Sequence, residues 1–465
     1  MQRSLKLAEL AVIWLGLRKR DKLRIDDRSG YICVYTKRFN CFGMILSKNN
    51  FDVRTIFYGM CLILSACAPS ESVEELPVVN LDAADTRELN LSTLVDEVRV
   101  IPLETSEKYL ISYPQACFAD DFVLVGSFQV GSPRKPGRLF RFDLNGKFIN
   151  EIGAGTGGKG PGEHMGEPLA IRYYEDEQLI QVNWGGKWRD PQLFNLAGDF
   201  VRDIHVPDSG SMGLQFVERW NDSTWFGSAF GIVGPNDFSP GDSNLVHFFT
   251  NDGRDVSDIP RLIFAARKHS IGLPPAPVHY KKNGRWKFFV TGLDTLFRIE
   301  DMRLVPEVVL QSEKYVNYNT VTKQEEFDRK ALILSIAEGK DYWLLVRQIL
   351  RIPLSVGHNF EVPFVFIDKN SMQATNIRLQ DDVFGLLSGT FFGENLNWPD
   401  GQKPFQHNLL YTIVNADELV ELLKNRSGEV TSEAQIELNK LENLQEDDNS
   451  VIFLFTLKDS IKLQL

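Results

Sequence analysis

A glycine-rich segment is the part of this sequence that comes nearest to a motif with known chemistry. Residues 153–160 read GAGTGGKG, which is close to a phosphate-binding loop of the form Gly-x-x-x-x-Gly-Lys-Ser/Thr. The residue after Lys159 is Gly160, so the hydroxyl that would hold Mg²⁺ is missing, and Pro161 and a further glycine follow where a helix would have to begin. We therefore interpret the segment as a connection between strands, and we predict no nucleotide and no other cofactor.

The histidines and carboxylates show no spacing that is typical of a metal site or a catalytic site. No two histidines are arranged as His-x-His or His-Glu-x-x-His, and the acidic tracts lack the alternating ligands of a calcium loop. A Gly-x-Ser-x-Gly nucleophile motif is also missing from the sequence. We predict no catalytic residue and no metal ligand, although a zinc site assembled from distant segments stays open. The seven histidines are His164, His205, His247, His269, His279, His358 and His407.

Cys67 is the residue whose surroundings most clearly indicate a chemical modification. Residues 44–66 contain two basic residues, an eleven-residue apolar run and the ending Leu-Ser-Ala directly before the cysteine. The run is too short to span a bilayer, which takes about 20 residues, but it has the length of a secretory signal. The ending is that of a bacterial lipobox, in which the cysteine is acylated and becomes the mature N-terminus. We predict lipidation of Cys67, the alternative being a buried strand that ends in a cysteine by chance.

The segments on either side of this signal follow from its position. Residues 1–43 precede a complete signal, so we predict that they are a wrongly assigned extension and that Met44 is the true start; a genuine cytoplasmic extension is the alternative. Residues 67–87 are polar and acidic at first, and we assign them to a tether. Cys117 is the one cysteine left in the remaining chain, and its apolar context, QACFA, predicts a buried thiol without a disulfide.

Two patterns recur along the rest of the chain and predict the strands that must position any site. In the first pattern an acidic or Gly/Asn turn precedes an apolar strand, as in DDFVLVG at 120–126. In the second a strand, a tight turn and another strand follow, as in RLFRFDLNGKFINEI at 138–152. The aromatic residues that mark the second pattern recur at intervals of 54, 54, 49 and 69 residues, and a period near 50 is typical of a β-propeller blade. They are Phe140, Phe194, Phe248, Phe297 and Phe366.

These repeats predict an all-β, six-bladed propeller over residues 88–465. Five units are complete, and we expect strand residues near 88–104 to pair with the C-terminal strand at 451–458 in a shared last blade, because closing the ring removes exposed sheet edges. The interruption at 416–446 is polar and has helical periodicity, which predicts two helices on the outside of that blade. The apolar positions of the predicted helices are Leu419, Leu422, Leu423, Ile436, Leu438, Leu441 and Leu444.

The composition excludes several classes of protein. The chain of 465 residues is 43% hydrophobic and carries a net charge of −11. Such a composition excludes a disordered or polytopic membrane protein, and the acidic balance argues against nucleic-acid binding. We expect contact with the membrane through the lipid anchor only.

The sequence resembles the six-bladed β-propeller lipoproteins of Bacteroides-type bacteria, which are similar to NHL-repeat and TolB-like propellers. The resemblance rests on the lipobox at Cys67, on LSTLVDEVRVIPLET at 91–105, on FDLNGKFINEIGAGTGGKGPGE at 142–163 and on the ending DDNSVIFLFTLK at 447–458. It implies a propeller fold and export to the cell envelope, on either the periplasmic or the surface side of the outer membrane. Most members of this group have no assigned activity, so the resemblance implies little chemistry.

The longer connections between strands hold the residues that we predict to bind a ligand. Within each blade the connection from strand 2 to strand 3, and the crossover to the next blade, are long and open on the same face. Function usually resides in long loops on a rigid scaffold, and Trp and Arg are common binding anchors. An alternative for the tryptophans is that they pack the loops onto the ring. The candidates are Arg134, Lys135, Lys159, His164, Trp184, Trp188 and Arg189.

Two functions remain open at this stage. The first is a binding or scaffold module for a peptide, a glycan or an envelope protein. The second is a propeller hydrolase, lactonase or lyase that holds a metal in the central channel. The second requires Asp, Glu, Asn or His residues of the inner strands to converge on the axis, and the sequence alone reveals no such set.

Overall fold

The chain divides into two compact units, Met1–Glu75 and Leu76–Leu465. The computed structural model describes three strands of the first unit and most of the second. The first unit contains an antiparallel sheet of strands β1 (Lys22–Asp26), β2 (Tyr31–Thr36) and β3 (Phe39–Ile45). In the second unit the described residues are 76–127, 136–153, 158, 160–164, 166–184, 190–207, 214–229, 244–260, 277–290, 294–314, 331–349, 364–386, 405–426 and 430–461.

The predicted signal and its flanks fall largely outside this description. Met44, the predicted start, lies in β3. The rest of the apolar signal and Cys67 lie outside the described residues. Within the part of the chain that the structure covers, no helix combines the length and the apolar character needed to cross a membrane.

The second unit is the predicted six-bladed β-propeller. Its first three strands, β4 (Val78–Asn80), β5 (Asp85–Asn90) and β6 (Val95–Pro102), precede the blades that they join. Blade 1 contains β7 (Gln115–Phe118), β8 (Phe122–Ser127), β9 (Arg138–Asp143) and β10 (Phe148–Ile152). Blade 2 contains β11 (Pro168–Tyr174), β12 (Leu179–Trp184), β13 (Gln192–Asn195) and β14 (Phe200–Asp203). Blade 3 contains β15 (Leu214–Arg219), β16 (Thr224–Ala229), β17 (Asn244–Thr250) and β18 (Asp255–Pro260).

Blades 4 to 6 complete the ring. Blade 4 contains β19 (Pro277–Lys282), β20 (Arg285–Val290), β21 (Thr295–Glu300) and β22 (Arg303–Gln311). Blade 5 contains β23 (Ala331–Glu338), β24 (Tyr342–Ile349), β25 (Phe364–Asp368) and β26 (Gln373–Gln380). Blade 6 contains β27 (Phe405–Gln406), β28 (Leu409–Val414) and β29 (Val451–Leu457), together with β6. The first strand of each blade lies innermost, and first strands contact one another between blades 1 and 2, 4 and 5, and 5 and 6.

The ring closes as the sequence predicts, through a blade shared by both ends of the chain. Strand β29 pairs with β6 in antiparallel register, with Phe453 opposite Val100 and Val451 opposite Pro102. The N-terminal segment therefore supplies the outermost strand of blade 6, and both termini of the unit are held by one ladder of main-chain hydrogen bonds.

The N-terminal segment also adds a fifth strand to each of two blades, which the sequence analysis did not predict. Strand β4 pairs in parallel with the outer strand of blade 4, and β5 pairs in parallel with the outer strand of blade 5. The compact unit thus begins at Leu76, and the tether predicted over residues 67–87 is shorter than expected at its C-terminal end. The pairing gave no sequence signal because β5 is almost entirely exposed and its pairing with the blade runs through the backbone.

The helical insert covers the outer edge of blade 6. Helices α2 (Ala416–Asn425) and α3 (Ser432–Leu438) follow a single short turn, α1 (Leu91–Leu94), near the N-terminus. The backbone N–H of Val100 donates to Glu437 Oε2 at 2.6 Å, and Lys440 Nζ donates to the carbonyl oxygen of Val100 at 3.3 Å. The two predicted helices are confirmed, except that Ile436 is 66% exposed and does not belong to the buried stripe.

The outer edges of blades 1 to 3 pair with no further strand among the described residues. Each outer strand contains a β-bulge, and the bulged residues are Ile149, Val201 and Val256. A bulge twists an edge strand and discourages further pairing, which helps to protect these uncovered edges. The outer strand of blade 4 has a similar bulge at Glu307 and is nevertheless paired with β4.

Hydrophobic clusters fill the space between each pair of adjacent blades. Between blades 6 and 1, for example, Ile452 packs with Phe118 and Phe140, all of them nearly inaccessible to solvent. Cys117 lies in the cluster between blades 1 and 2, which confirms the buried thiol, and burial raises its pKa to about 11.

Candidate functional site

A charged cluster near the axis is built from the first strands of three consecutive blades. Arg172 of β11 donates from Nε to Glu218 Oε1 at 2.6 Å, and its Nη1 donates to the carbonyl oxygen of Ile171. His279 of β19 contacts the same Glu218 oxygen through Nε2 at 2.8 Å. The side chains of Glu218 and His279 are 4% and 2% exposed, whereas that of Arg172 is 32% exposed. The cluster therefore joins blades 2, 3 and 4 and reaches solvent through Arg172.

The electrostatics of this cluster hold Glu218 in its ionised form. Burial alone would raise the pKa of the carboxyl group, but the attraction of Arg172 and the hydrogen bond with His279 outweigh it and lower the pKa to about 2. A buried ion pair of this kind is costly to break, because removal of one partner leaves the other charge without compensation.

The cluster is not arranged as a metal site. Glu218 is its one carboxylate, and the guanidinium of Arg172 already neutralises that charge. Among the described residues of the propeller, no three His, Cys, Asp or Glu side chains are grouped so that they could hold a metal ion. The chemistry that the arrangement offers is hydrogen bonding and charge pairing rather than Lewis-acid catalysis.

The glycine-rich segment that resembles a phosphate loop lies between blades 1 and 2 and receives a carboxylate of its own chain. Glu163 Oε2 accepts a hydrogen bond from the backbone N–H of Gly160 at 2.7 Å. A Cβ atom at Gly158 would lie 1.9 Å from the same oxygen, so the backbone closes tightly around the Glu163 side chain. A phosphate at Gly160 would have to displace this carboxylate, in agreement with the interpretation of the segment as a crossover.

Two of the predicted loop residues lie within the described part of the chain. His164 and Trp184 are 1% and 4% exposed, and their rings stack with a centroid separation of 3.3 Å and an interplanar angle of 7°. Neither ring presents a face to solvent, so the packing alternative describes Trp184. The remaining candidates lie outside the described residues, and a binding role for them stays a prediction: Arg134, Lys135, Lys159, Trp188 and Arg189.

The long-loop face exposes three large apolar or aromatic residues close to the start of the inner strands of blades 1 and 2. Leu110, Tyr113 and Leu169 are 52%, 50% and 49% exposed, and we call these three residues the loop-face patch. Gln115, two residues after Tyr113 in the chain, donates from Nε2 to the carbonyl oxygen of Leu169 at 3.2 Å. Tyr113 adopts φ +49°, a conformation that side chains other than glycine rarely take and that concentrates at functional sites.

The sequence analysis missed both the axial cluster and the loop-face patch. A partial signal for the cluster existed, because the first strands of these blades place charged residues among apolar and aromatic ones, as in PLAIRYY, LQFVER and PVHYKK. Arg172, Glu218 and His279 are separated by 46 and 61 residues, so only the ring geometry reveals that they meet.

Comparison with known proteins supports the fold and leaves the activity open. A family model described as "Domain of unknown function (DUF4934)" matches residues 76–456. A solved structure of a protein inferred to be exported, from Bacteroides fragilis NCTC 9343, is similar with 13% identity and a TM-score of 0.57 over 82% of this chain and 99% of that one. A DUF4221 family member from Bacteroides vulgatus ATCC 8482 has 13% identity and a TM-score of 0.46 over 78% of this chain and 97% of its own. No curated protein is detectably similar to the chain.

Proposed function

The chain belongs to the DUF4934 family, and from this premise we propose that it is an exported, lipid-anchored propeller that binds a peptide, a glycan or a partner protein at the cell envelope. The observation that carries the binding role is the loop-face patch. Exposed apolar groups on a rigid scaffold favour association with another molecule, and an exposed tyrosine offers both a ring face and a hydroxyl.

The backbone at the loop-face patch strengthens this argument. Holding Tyr113 at a positive φ costs on the order of 1–2 kcal/mol relative to the right-handed region. The hydrogen bond from the backbone N–H of Ser112 to Ser127 Oγ, at 2.9 Å, fixes the adjacent residue against blade 1. Ser127 is the last residue before the loop that contains Arg134 and Lys135, so the predicted basic residues follow in sequence from the edge of the patch.

The anchor is supported by the sequence and by the start of the folded unit. Eight residues separate Cys67 from Leu76, which corresponds to a reach of about 30 Å when fully extended. A tether of that length would keep the propeller close to a membrane that holds an acylated Cys67. The similar B. fragilis protein, inferred to be exported, agrees with this location.

The metal-dependent hydrolase that the sequence analysis kept open is not part of the proposal. It requires several oxygen or nitrogen ligands around the axis, and the carboxylate found there is paired with Arg172. A cation beside that carboxylate would repel a metal ion.

The anchor is tested by Cys67→Ala in the native host. We expect the variant to fold but to leave the membrane fraction, because acyl chains contribute roughly 0.8 kcal/mol per buried CH₂ group to anchoring. Membrane partitioning is measured by fractionation, and acylation by the mass of the N-terminal peptide. Unchanged partitioning together with an unmodified peptide in the wild type would contradict the proposal.

The binding role is tested on the loop-face patch with Tyr113→Gly and Tyr113→Phe. Glycine suits the positive φ and so preserves the backbone while it removes the ring, whereas phenylalanine keeps the ring. The full chain is applied to arrays of glycans and of envelope-derived peptides. We expect the strongest ligand to bind at least about tenfold more weakly to Tyr113→Gly than to Tyr113→Phe. Equal binding by the two variants, or no saturable binding by the wild type, would refute the role of the patch.

A further inference from the structure

The opposite end of the axis carries basic residues from three alternate blades. Arg172 lies near the end of β11 in blade 2, Lys281 near the end of β19 in blade 4, and His407 in the turn that follows β27 in blade 6. First strands lie innermost; Lys281 is one residue from the end of its strand, Arg172 is two residues from the end of its strand, and His407 lies in the short turn itself. The three residues therefore lie towards the short-turn end of the axis, away from the loop-face patch.

Two of the three residues have no ionic partner in the described part of the propeller. The side chains of Lys281 and His407 make no ion pair or hydrogen bond there, and both residues are exposed. The Lys281 ammonium lies 5.8 Å from the centre of the Trp286 ring, which limits its freedom without neutralising it. Arg172 is paired with Glu218 on its Nε side only, and its Nη2 makes no hydrogen bond within the described residues.

Lys282, the next residue in the chain, differs from Lys281 in having an ionic partner. Lys282 Nζ contacts Asp459 Oδ1 at 2.7 Å, so its charge is compensated by the C-terminal segment. Consecutive residues of a strand point in opposite directions, which separates Lys281 from that carboxylate. Among the described residues, the Lys281 charge is therefore not compensated by Asp459.

We propose that the short-turn mouth of the axis binds a compact oxyanion, a carboxylate, sulfate or phosphate group, between Arg172, Lys281 and His407. Charge-assisted hydrogen bonds from three convergent donors suit a small tetrahedral or planar anion. Glu218 lies on the other side of Arg172 and orients the guanidinium. This site is separate from the loop-face patch and does not depend on what binds there.

The state of His407 agrees with this arrangement. Although part of the residue is exposed to solvent, neighbouring chain atoms desolvate the imidazole; its pKa is lowered first by that desolvation and then by repulsion from Arg172 and Lys281, while Glu218 opposes the shift. An anion placed between the three groups would favour the protonated imidazole and raise that pKa. Binding should therefore take up a proton and strengthen as the pH falls.

Isothermal titration calorimetry of the full chain in detergent at low ionic strength tests the site. The probes are sodium sulfate, inorganic phosphate and galacturonate, so that their relative affinities distinguish a sulfate, phosphate or carboxylate source. We expect Lys281→Gln and His407→Gln each to weaken binding at least about tenfold, and Lys282→Gln to leave it unchanged. Sulfate keeps its charge near neutral pH, so it should bind more tightly at about pH 6 than at about pH 8 through His407 alone.

Two outcomes of the titrations would overturn the proposed anion site. Equal losses in Lys281→Gln and Lys282→Gln would indicate general charge attraction and overturn the site, as would the absence of saturable binding by any probe. Retention of the pH dependence in His407→Gln would remove the histidine from it. Arg172→Gln is not used, because it would leave Glu218 buried and unpaired and could disturb the fold.

Discussion

Four turn glycines allow the contribution of blade docking to be separated from that of backbone conformation. All four have positive φ values close to one another: Gly146 (84°), Gly198 (93°), Gly253 (79°) and Gly284 (75°). Replacement by alanine should therefore impose a similar conformational cost, about 1–2 kcal/mol, at each position. What differs is the space that the new methyl group would enter.

The distances from an added Cβ predict a graded series. At Gly146 the Cβ would lie 1.8 Å from the carbonyl oxygen of Pro102, at Gly198 2.3 Å from that of Glu151, and at Gly253 3.0 Å from that of His205. At Gly284 nothing lies within 4 Å. The first three turns press on the C-terminal end of the outer strand of the preceding blade, or on the chain just after it, and the fourth turn is open.

The largest effect is expected at Gly146, because neither side of the contact can easily move. Pro102 is the last residue of β6 and lies opposite Val451 in the ladder that closes the ring. The turn is also tied to the preceding blade, since the backbone N–H of Glu104 donates to the carbonyl oxygen of Gly146 at 2.8 Å. Steric strain of about 1–3 kcal/mol and the weakened hydrogen bond should make Gly146→Ala roughly 2–4 kcal/mol more destabilising than Gly284→Ala.

Urea unfolding of the four alanine variants, followed by tryptophan fluorescence, measures the series. We expect the loss of stability to decrease in the order Gly146, Gly198, Gly253, Gly284. Gly284→Ala is the matched control for the conformational cost. If Gly284→Ala were as destabilising as Gly146→Ala, the conformational term alone would set the cost, and the argument that these turns dock the blades together would be refuted.

Three other predictions concern the axis, the closure and the start of the chain. Glu218→Gln should destabilise the propeller by about 3 kcal/mol at neutral pH. The folded pKa of Glu218 is about 2, against an ordinary value of 4.5, so the stabilisation from its charge is present above pH 4.5 and is lost as the pH falls towards 2. The difference in unfolding free energy between variant and wild type, measured by urea unfolding, should therefore shrink over that range. Truncation after Gln445 removes β29, an interior strand of blade 6, and should yield insoluble or protease-sensitive protein, whereas a soluble, protease-resistant product with an unchanged melting temperature would contradict the closure. A gene that begins at Met44 should be exported and processed normally; loss of export, measured by fractionation, would show that residues 1–43 have a targeting role.

The blades themselves could be predicted because their signals are local. Apolar strands joined by Asn-Gly or Gly-Asp turns predict hairpins, and Gly146 and Gly198 do adopt the positive φ that such turns need. The repeated aromatic residues lie in the third strand of each blade, where Phe140, Phe194 and Phe248 are fully buried between neighbouring sheets. A strand without a local partner at each end of the repeat then predicted the shared last blade.

The functional residues could be predicted less well, because long loops were expected to hold them. His164 lies in such a connection and Trp184 is the last residue of β12, and their rings pack against each other in the interior. Aromatic residues next to a sheet gain more free energy from burial than from exposure, unless the backbone holds them outward as it does Tyr113. Residue type and loop length alone cannot distinguish these two outcomes.

By itself the sequence determined the six-bladed architecture, the shared closing blade, the helical insert and the burial of Cys117, because periodicity, turn chemistry and apolar context are encoded over a few residues. Only the tertiary structure decided that β4 and β5 cover the edges of blades 4 and 5, since main-chain hydrogen bonds leave no trace in side-chain pattern. Only the tertiary structure, likewise, brought Arg172, Glu218 and His279 together. They lie in three different strands, 46 and 61 residues apart, and they meet because the ring places the inner strands of successive blades side by side around one axis.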